Sequence, residues 1–229
     1  MKKRNGNWIL ALIVMGICLI LTHSCKKDEE PTDKITDNDG NTYTSVTIGT
    51  QVWLVENLKT TRYNDGIAIP NVSDAAEWSN LTTAAFCWYN NNTSYKSPYG
   101  ALYNWHTANS DKLCPKGWHV PSAEEWNMLI TNSGGSDIAG GKLKEAGTAH
   151  WYSPNTGAIN ESGFTALPGS QRDEDGSFSY EIGYNGLWWT TTDYSAELAH
   201  GIWISNDFNE VFTSMEDKRQ GYSVRCIKD

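Results

Sequence analysis

Residues 114–126 read CPKGWHVPSAEEW and contain the clearest helix start in the chain. Ser122 and Glu125 form a capping box, in which the serine hydroxyl accepts the glutamate N–H and the glutamate side chain accepts the serine N–H. Apolar residues then recur at helical spacing, at Trp126, Leu129 and Ile130. Two glycines, Gly134 and Gly135, end the pattern. We therefore predict an amphipathic helix that packs one face against a core.

The chain before this helix predicts a hairpin, a short strand and one further helix. Residues 43–48 alternate in polarity, Gly49 and Thr50 make a turn, and residues 51–55 return. Residues 60–82 are expected to be loop, and residues 86–89 are typical of a short aromatic strand. A first helix is predicted where four residues share a face, namely Tyr99, Leu102, Tyr103 and His106. The histidine of that face is interpreted as a core residue rather than a ligand.

The chain after the capped helix is mostly strand and turn. A weaker helical pattern covers residues 138–145. Strands are predicted at residues 164–167, 187–191, 200–204, 211–213 and 222–227. Helices in the first half and strands in the second predict an α+β fold with a mostly antiparallel sheet.

The N-terminus has the pattern of an export signal. Basic residues at positions 2–4 precede an apolar run over residues 8–21, which is shorter than a membrane-spanning helix. Ser24 before Cys25 resembles the lipobox of bacterial lipoproteins. That resemblance implies a signal peptide over residues 1–24 and acyl chains on Cys25, which anchor the protein in a membrane. An uncleaved single-pass anchor is the alternative.

The segment after Cys25 is predicted to be a flexible tether. Residues 25–42 are polar and highly charged, so they bury too little apolar surface to order themselves. Residues 26–30, KKDEE, resemble the signal that sends some lipoproteins to the outside of the outer membrane; a solvated linker is the alternative. Residues 37–41, DNDGN, are interpreted as a turn, because Ile48 stands where a calcium loop needs a glutamate. A single domain is expected over residues 43–229.

Charge and motifs exclude several classes of function. Beyond residue 25 the chain has 15 basic and 27 acidic side chains, which argues against a nucleic-acid partner. The metalloprotease, dithiol and nucleophile-elbow motifs are absent. A match to a P-loop fails at Ser136 and Leu143, and the histidines lack metal-ligand spacing. No catalytic residue, metal or cofactor is therefore predicted.

Six motifs occur in order along the chain and resemble those of one known family. They are residues 49–58 (GTQVWLVENL), 99–105 (YGALYNW), 114–126, 163–169 (GFTALPG), 187–191 (LWWTT) and 222–229 (YSVRCIKD). Together they are similar to the Fibrobacter succinogenes major paralogous domain family over nearly all of residues 37–229. The resemblance implies a C-type-lectin-like plan, with a twisted, mostly antiparallel sheet, two main helices and long irregular loops. It implies no activity, because one fold supports many functions.

The cysteines divide between the export signal and the domain. Cys18 lies in the predicted signal peptide and Cys25 would be acylated, which leaves Cys87, Cys114 and Cys226. Three thiols allow three single disulfides, and an exported protein meets an oxidising compartment. Lectin-like folds bring the segment before the capped helix next to the last strand. The resemblance therefore favours a Cys114–Cys226 bridge and leaves Cys87 as a buried thiol; three reduced cysteines are the alternative.

Polar and aromatic residues of two loops form the predicted ligand site. They are Asp173, Asp175, Tyr180 and Tyr184 between residues 169 and 186, with Asn206 and Asp207 in residues 205–210. Acids beside flat aromatic rings suit a sugar, by stacking and bidentate hydrogen bonds, and loops on a rigid scaffold often carry binding residues. In the structural alternative, Asp175 and Gly176 form only a hairpin turn, while Trp188 and Trp189 belong to the core.

These observations predict a lipoprotein of the outer membrane that is exposed at the cell surface. Its domain is expected to be a non-catalytic binding module for glycan or protein ligands. The predicted partners are the membrane, through the lipid anchor, and such a ligand. A carbohydrate-active hydrolase that uses two loop carboxylates and a structural envelope protein are the alternatives.

Overall fold

The computed structural model describes residues 34–229. The predicted signal peptide, the predicted acylation site Cys25 and residues 26–33 of the predicted tether lie outside the described residues. Within residues 34–229, no helix has the length and apolar character needed to cross a membrane.

Residues 34–42, which the sequence assigns to the tether, belong to the compact unit Lys34–Asp229. The Asp37 carboxylate accepts the backbone N–H groups of Asp39 and Asn41, each at 2.9 Å. The same carboxylate accepts the buried hydroxyl of Tyr43 at 2.6 Å. These bonds form the predicted turn and attach residues 37–41 to the start of β2.

The structure combines short strands, short helices and long connections. The strands are β1 (Ile35–Thr36), β2 (Thr42–Tyr43), β3 (Ser45–Ile48), β4 (Gln51–Leu54), β5 (Phe86–Cys87), β6 (Leu102–Tyr103), β7 (Trp118–His119), β8 (Asn185–Asp193), β9 (Leu198–Ser205), β10 (Phe212–Asp217) and β11 (Ile227–Lys228). The helices are α1 (Ala75–Ser79), α2 (Lys96–Tyr99), α3 (Trp105–Ala108), α4 (Ala123–Asn132) and α5 (Ser136–Leu143). Single 3₁₀ turns occupy Tyr89–Asn91 and Thr93–Tyr95.

The strands form two larger sheets and two small ribbons, and every pairing between these strands is antiparallel. One sheet has the order β10-β9-β8 and the other the order β3-β4-β11-β7. The ribbons are β1-β2 and β5-β6. Few, short helices beside antiparallel sheets confirm the predicted α+β class, and β3-β4 is the predicted hairpin.

Helix α4 begins and packs as its sequence predicts. Ser122 Oγ accepts the N–H of Glu125 at 3.3 Å, and Glu125 Oε2 accepts the N–H of Ser122 at 2.7 Å, so the capping box is complete. Trp126 and Leu129 are fully buried, and the Trp126 ring centroid lies 5.9 Å from that of Trp188 in β8. The weaker pattern at residues 138–145 corresponds to α5.

The prediction of a helix over residues 99–106 is wrong. Gly100 has φ +87°, a value that favours glycine, and a Cβ at this position would approach the Leu58 carbonyl oxygen to 2.7 Å. The chain therefore leaves helical geometry there, and Leu102–Tyr103 becomes strand β6. Asn104 then caps the separate helix α3 by accepting the N–H of Thr107. The expected core position of His106 is wrong as well, because its side chain is only partly buried.

Two predicted strands are reduced to isolated bridges, and one predicted loop contains a helix. Residues 164–167 contribute one bridge, between Lys144 and Ala166, instead of a strand. In residues 222–227 the pairing is also by single bridges until β11 begins. Residues 60–82, expected to be loop throughout, include α1. In two of these segments buried arginines bind backbone carbonyls: Arg225 donates to Phe164, and Arg172 donates to Val72 and Ser73. Hydrophobic periodicity does not report such contacts.

The predicted disulfide is confirmed. Cys114 and Cys226 are bonded, which joins the segment before β7 to the segment before β11 across a separation of 112 residues. Among the described residues Cys87 is a free, buried cysteine, as expected. Burial raises the pKa of the Cys87 thiol to about 12, so it remains protonated at neutral pH.

The C-terminus is joined to the start of α4 by His119. Its Nε2 lies 2.8 Å from Glu125 Oε1, and its Nδ1 lies 2.7 Å from Asp229 Oδ1. Burial lowers the pKa of His119, but the hydrogen bonds to Asp229 and Glu125 outweigh it, so the net pKa is raised. The folded protein therefore binds the histidine proton more tightly than the unfolded chain does.

We predict that His119→Gln destabilises the protein more at acidic than at alkaline pH. A raised folded-state pKa gives stability that is complete below about pH 6.5, the ordinary histidine value, and is lost as the pH rises through the raised pKa. Denaturant unfolding at about pH 5.5 and about pH 8.5 measures the difference. His106→Gln is the matched control of opposite sign, because burial lowers the pKa of His106. If His119→Gln lowered the unfolding free energy equally at both pH values, this role of the His119 proton would be contradicted.

Candidate functional site

A groove of about 700 Å³ opens over one face of the sheet β8–β9–β10. The carboxylates that line it are Asp173, Glu174, Asp175 and Glu216. The aromatic residues are Tyr180, Trp203, Phe208 and Tyr222, and the amides are Gln171, Asn185 and Gln220. The groove thus combines flat apolar faces with many oxygen acceptors.

The floor of the groove is one face of the three-stranded sheet. Leu187, Trp203 and Phe212 stand directly opposite one another in β8, β9 and β10, so their side chains share that face. The rings of Trp203 and Phe212 are stacked with centroids 4.1 Å apart. Alternation along β10 then places Glu216 on the same face as Phe212. Strand pairing, rather than loop sequence, therefore brings an acid and an indole together.

Tyr222 completes the floor. Its ring stacks on Trp189 with centroids 4.5 Å apart, and its hydroxyl donates to Gln220 Oε1. A Cβ on Gly201 would lie 3.1 Å from Glu216 Cγ and 3.3 Å from the Tyr222 ring, so the glycine makes room for both side chains. Burial, and then the nearby Glu216 carboxylate, raise the pKa of Tyr222 well above its usual value.

The acidic wall of the groove is a tight turn. The N–H of Asp173 donates to the carbonyl of Ser177 at 2.9 Å, and its carboxylate accepts the N–H of Ser179 at 3.1 Å. Asp175 accepts the N–H of Ser177 at 2.8 Å, and hydrogen bonds from Ser177 hold the pKa of Asp175 below its usual value. The hairpin turn of the structural alternative is therefore present, and its two aspartates also line the groove.

Arg172 supports this wall from behind. Its guanidinium donates to the carbonyls of Gly176 at 3.0 Å, Val72 at 2.6 Å and Ser73 at 3.0 Å, and lies 4.4 Å from the Trp78 ring centroid. Arg172 is fully buried. Because its partners are backbone carbonyls, the guanidinium fixes the path of the loop and neutralises none of the groove carboxylates.

Lys144 holds the opposite rim in the same way. Its ammonium donates to the carbonyls of Thr156 at 2.9 Å, Ser205 at 2.9 Å and Phe208 at 2.7 Å, and it lies 5.6 Å from the centroid of the Trp151 ring. The side chain is fully buried, and burial lowers the pKa of Lys144 to about 8. An internal cation therefore fixes the backbone of the loop that presents Ser205 and Phe208 to the groove.

The structure brings only part of the predicted site together. Asp173, Asp175 and Tyr180 line the groove, whereas Tyr184, Asn206 and Asp207 are not part of its lining. The Tyr184 ring packs on Tyr152 with centroids 4.9 Å apart. Asn206 is 2% exposed, and Asp207 is exposed. The ligand role of the six residues remains a prediction.

Several groove residues have no signal in the sequence. The strand predicted at residues 211–213 stops short of Glu216, whereas β10 continues to Asp217. Residues 212–216, FTSME, do not alternate in polarity, so no pattern extends the strand. Trp203 lies in a predicted strand, but the sequence does not predict which strand pairs with it. Lys144 and Arg172 each act as single residues, and no periodicity marks them.

Residues 34–229 contain no cluster of metal-binding side chains, and a second cavity lacks the aromatic faces of the groove. Within residues 34–229, no three histidine, cysteine or acidic side chains are close enough together to hold a metal ion. A smaller cavity of about 500 Å³ lies beside Cys114 and His119. Its other lining residues are Ala108, Asn109, Asp111, Leu113, Val120 and Thr191, so it offers no tryptophan, tyrosine or phenylalanine face.

Comparison with known proteins identifies the family. The model of the Fibrobacter succinogenes major domain family matches residues 46–228, which include both larger sheets and the groove. The chain therefore belongs to this family, as its motifs predict. No curated protein and no solved structure is significantly similar to the chain.

Proposed function

We propose that this chain is a non-catalytic glycan-binding module displayed at the cell surface. The observation that supports it is the groove, in which aromatic faces stand beside carboxylate and amide groups on a rigid sheet. Tyr180 is 51% exposed and Phe208 is 47% exposed, so both rings are free to stack on a ligand. Sugar rings present apolar C–H faces to aromatic rings and hydroxyls to oxygen acceptors, and such a groove can meet both.

A carbohydrate hydrolase has less support from the same residues. A glycosidase needs one carboxyl group whose pKa is raised so that it can act as an acid. The pKa of Asp175 is lowered instead, and Asp173 accepts hydrogen bonds that hold its own turn. Both carboxylates accept hydrogen bonds from their own loop, which stabilise the ionised form. An ionised carboxylate can bind a ligand but cannot donate a proton to it.

We also propose that the fold is C-type-lectin-like. In support, the strand pairs are antiparallel, and the last strand, β11, lies between β4 and β7 near the middle of its sheet. The Cys114–Cys226 bridge ties this late segment to the one before α4. The long connections at one end of the three-stranded sheet then form the groove.

The lipoprotein assignment completes the proposal. The basic N-terminus, the apolar run and Ser24–Cys25 support export and acylation of Cys25, and residues 26–30 support display on the outer-membrane surface. The polar, charged segment after Cys25 supports a tether between the anchor and the domain. A domain so placed meets extracellular polymers, which suits a binding module.

We predict that Tyr180→Ala and Phe208→Ala each weaken glycan binding. One aromatic contact contributes about 0.5–1.5 kcal/mol, which corresponds to roughly two- to tenfold in affinity. The full chain, purified in detergent, is applied to a glycan array, and the affinities of the variants are measured on the glycans bound. Tyr194→Ala, a 56% exposed tyrosine outside the groove, is the matched control and should bind normally. Full-strength binding by both groove variants would place the site elsewhere.

For the anchor, we predict that Cys25→Ala abolishes labelling by an alkyne fatty acid in cells. Acylation requires the Cys25 thiol, so no other position should accept the lipid. Cys18→Ala keeps every other cysteine and should label like the natural chain. Equal labelling of Cys25→Ala and the natural chain would contradict the lipoprotein assignment.

A further inference from the structure

The charges that face the groove all have one sign. Among the described residues that line it, four are carboxylates and none is lysine, arginine or histidine. Neither nearby arginine of the described structure forms an ion pair with these carboxylates: Arg172 donates to the carbonyls of Val72 and Ser73, and Arg219 is paired with Asp217. The groove therefore carries a negative potential that attracts cations and repels anionic ligands.

Three side-chain donors of the groove are already bonded within it. The Gln171 amide donates to Asp173, the Gln220 amide donates to Glu174 at 3.2 Å, and the Tyr222 hydroxyl donates to Gln220. Side-chain donors without a partner in the described structure remain at Asn185, Tyr180 and Trp203. What the groove offers a ligand is therefore mainly acceptors, so the complementary ligand is rich in donors.

Gln171 gives this imbalance a specific acceptor. It is 8% exposed and lines the groove, and its Oε1 accepts no hydrogen bond from the described residues. Its amide nitrogen is already bound to Asp173. This oxygen can accept a hydrogen bond from an N–H or O–H group of a ligand in the groove.

The acids that the structure describes in the groove are not gathered at a single metal-binding point. Because no three metal-ligating side chains within residues 34–229 are close together, the carboxylates do not form a cage for a single metal ion. Separate carboxylates beside aromatic rings instead match a chain that carries one positive group on each flat unit. An ammonium has three donors and no acceptor, which suits this groove.

We infer that the ligand of the groove is a glycan with free amino groups, a polymer of unacetylated amino sugars. This inference rests on the proposed glycan-binding function and names its ligand class. Uronic-acid polymers are excluded by charge repulsion, and neutral sugars lose the ion pairs with Glu174 and Glu216. An oligolysine peptide shares the ammonium groups but lacks the flat sugar faces that stack on Tyr180 and Phe208.

The test compares ligands of one length that differ in charge. Calorimetry of the full chain in detergent uses the hexamers of β-1,4-linked glucosamine, N-acetylglucosamine and glucose, with hexagalacturonate and hexalysine. We expect the glucosamine hexamer to bind at least about tenfold more tightly than either neutral sugar at mildly acidic pH. Its affinity should fall with added salt, and with pH as the sugar amines become neutral.

Variants that remove negative charge test whether the groove acids cause the preference for the glucosamine hexamer. Glu174→Gln combined with Glu216→Gln should reduce the affinity for the glucosamine hexamer by roughly tenfold and leave neutral-sugar affinity within about twofold. Glu124→Gln combined with Glu161→Gln removes the same charge from exposed positions outside the groove and should change neither affinity. Melting temperatures of all variants show whether the fold is kept.

The other possible results contradict either the amino-sugar inference or the glycan-binding function. Neutral sugars that bind as tightly as the glucosamine hexamer, or hexagalacturonate that binds more tightly, overturn the amino-sugar inference and leave the glycan-binding function standing. Hexalysine that binds more tightly than every sugar overturns it in favour of a basic peptide. Absence of binding by all four sugars overturns the proposed function itself.

Discussion

The fold depends on one buried polar junction between Arg225 and Asn57. The Arg225 guanidinium donates to Asn57 Oδ1 at 2.9 Å, to the Phe164 carbonyl at 2.6 Å and to the Leu54 carbonyl at 3.2 Å. Trp188 Nε1 donates to the same Asn57 oxygen at 2.9 Å. This junction joins β4, β8, the chain before β11 and an irregular loop at fully or almost fully buried residues. Since buried backbone groups must be hydrogen-bonded, it provides the partners that a longer strand would otherwise supply.

Buried cations that bind carbonyls recur where the chain is irregular. Arg172 supports the acidic wall of the groove, and Lys144 supports its rim. Both have backbone carbonyls as hydrogen-bond partners, so each fixes a loop while the groove carboxylates stay available for a ligand. Hydrogen bonds from buried cations to backbone carbonyls therefore fix the irregular loops, and the carboxylates of the groove remain without an ion pair among the described residues.

The features predictable from sequence are those with a local physical signal. Helix α4 has its capping box and apolar face, β3 and β4 have their turn, and the Cys114–Cys226 bridge follows from the family resemblance. The helix expected at residues 99–106 fails because Gly100 adopts a positive φ that periodicity does not detect. The groove is predictable only in part, because the pairing of β9 with β10 places Glu216 and Trp203 on one face, and periodicity does not report strand pairing. The buried cations Arg225, Arg172 and Lys144 belong to no repeating sequence pattern, so their structural roles are not predictable from the sequence.

The most direct test of this account is the unfolding free energy of Arg225→Met, with the disulfide intact. Methionine keeps an unbranched, apolar side chain but leaves the carbonyls of Leu54 and Phe164 and the Asn57 amide oxygen without the guanidinium. Each buried acceptor that loses its donor costs about 1–3 kcal/mol. The account predicts a loss of at least about 3 kcal/mol in denaturant unfolding, with Arg225→Lys intermediate. A loss below about 1 kcal/mol would show that apolar packing alone holds these segments together.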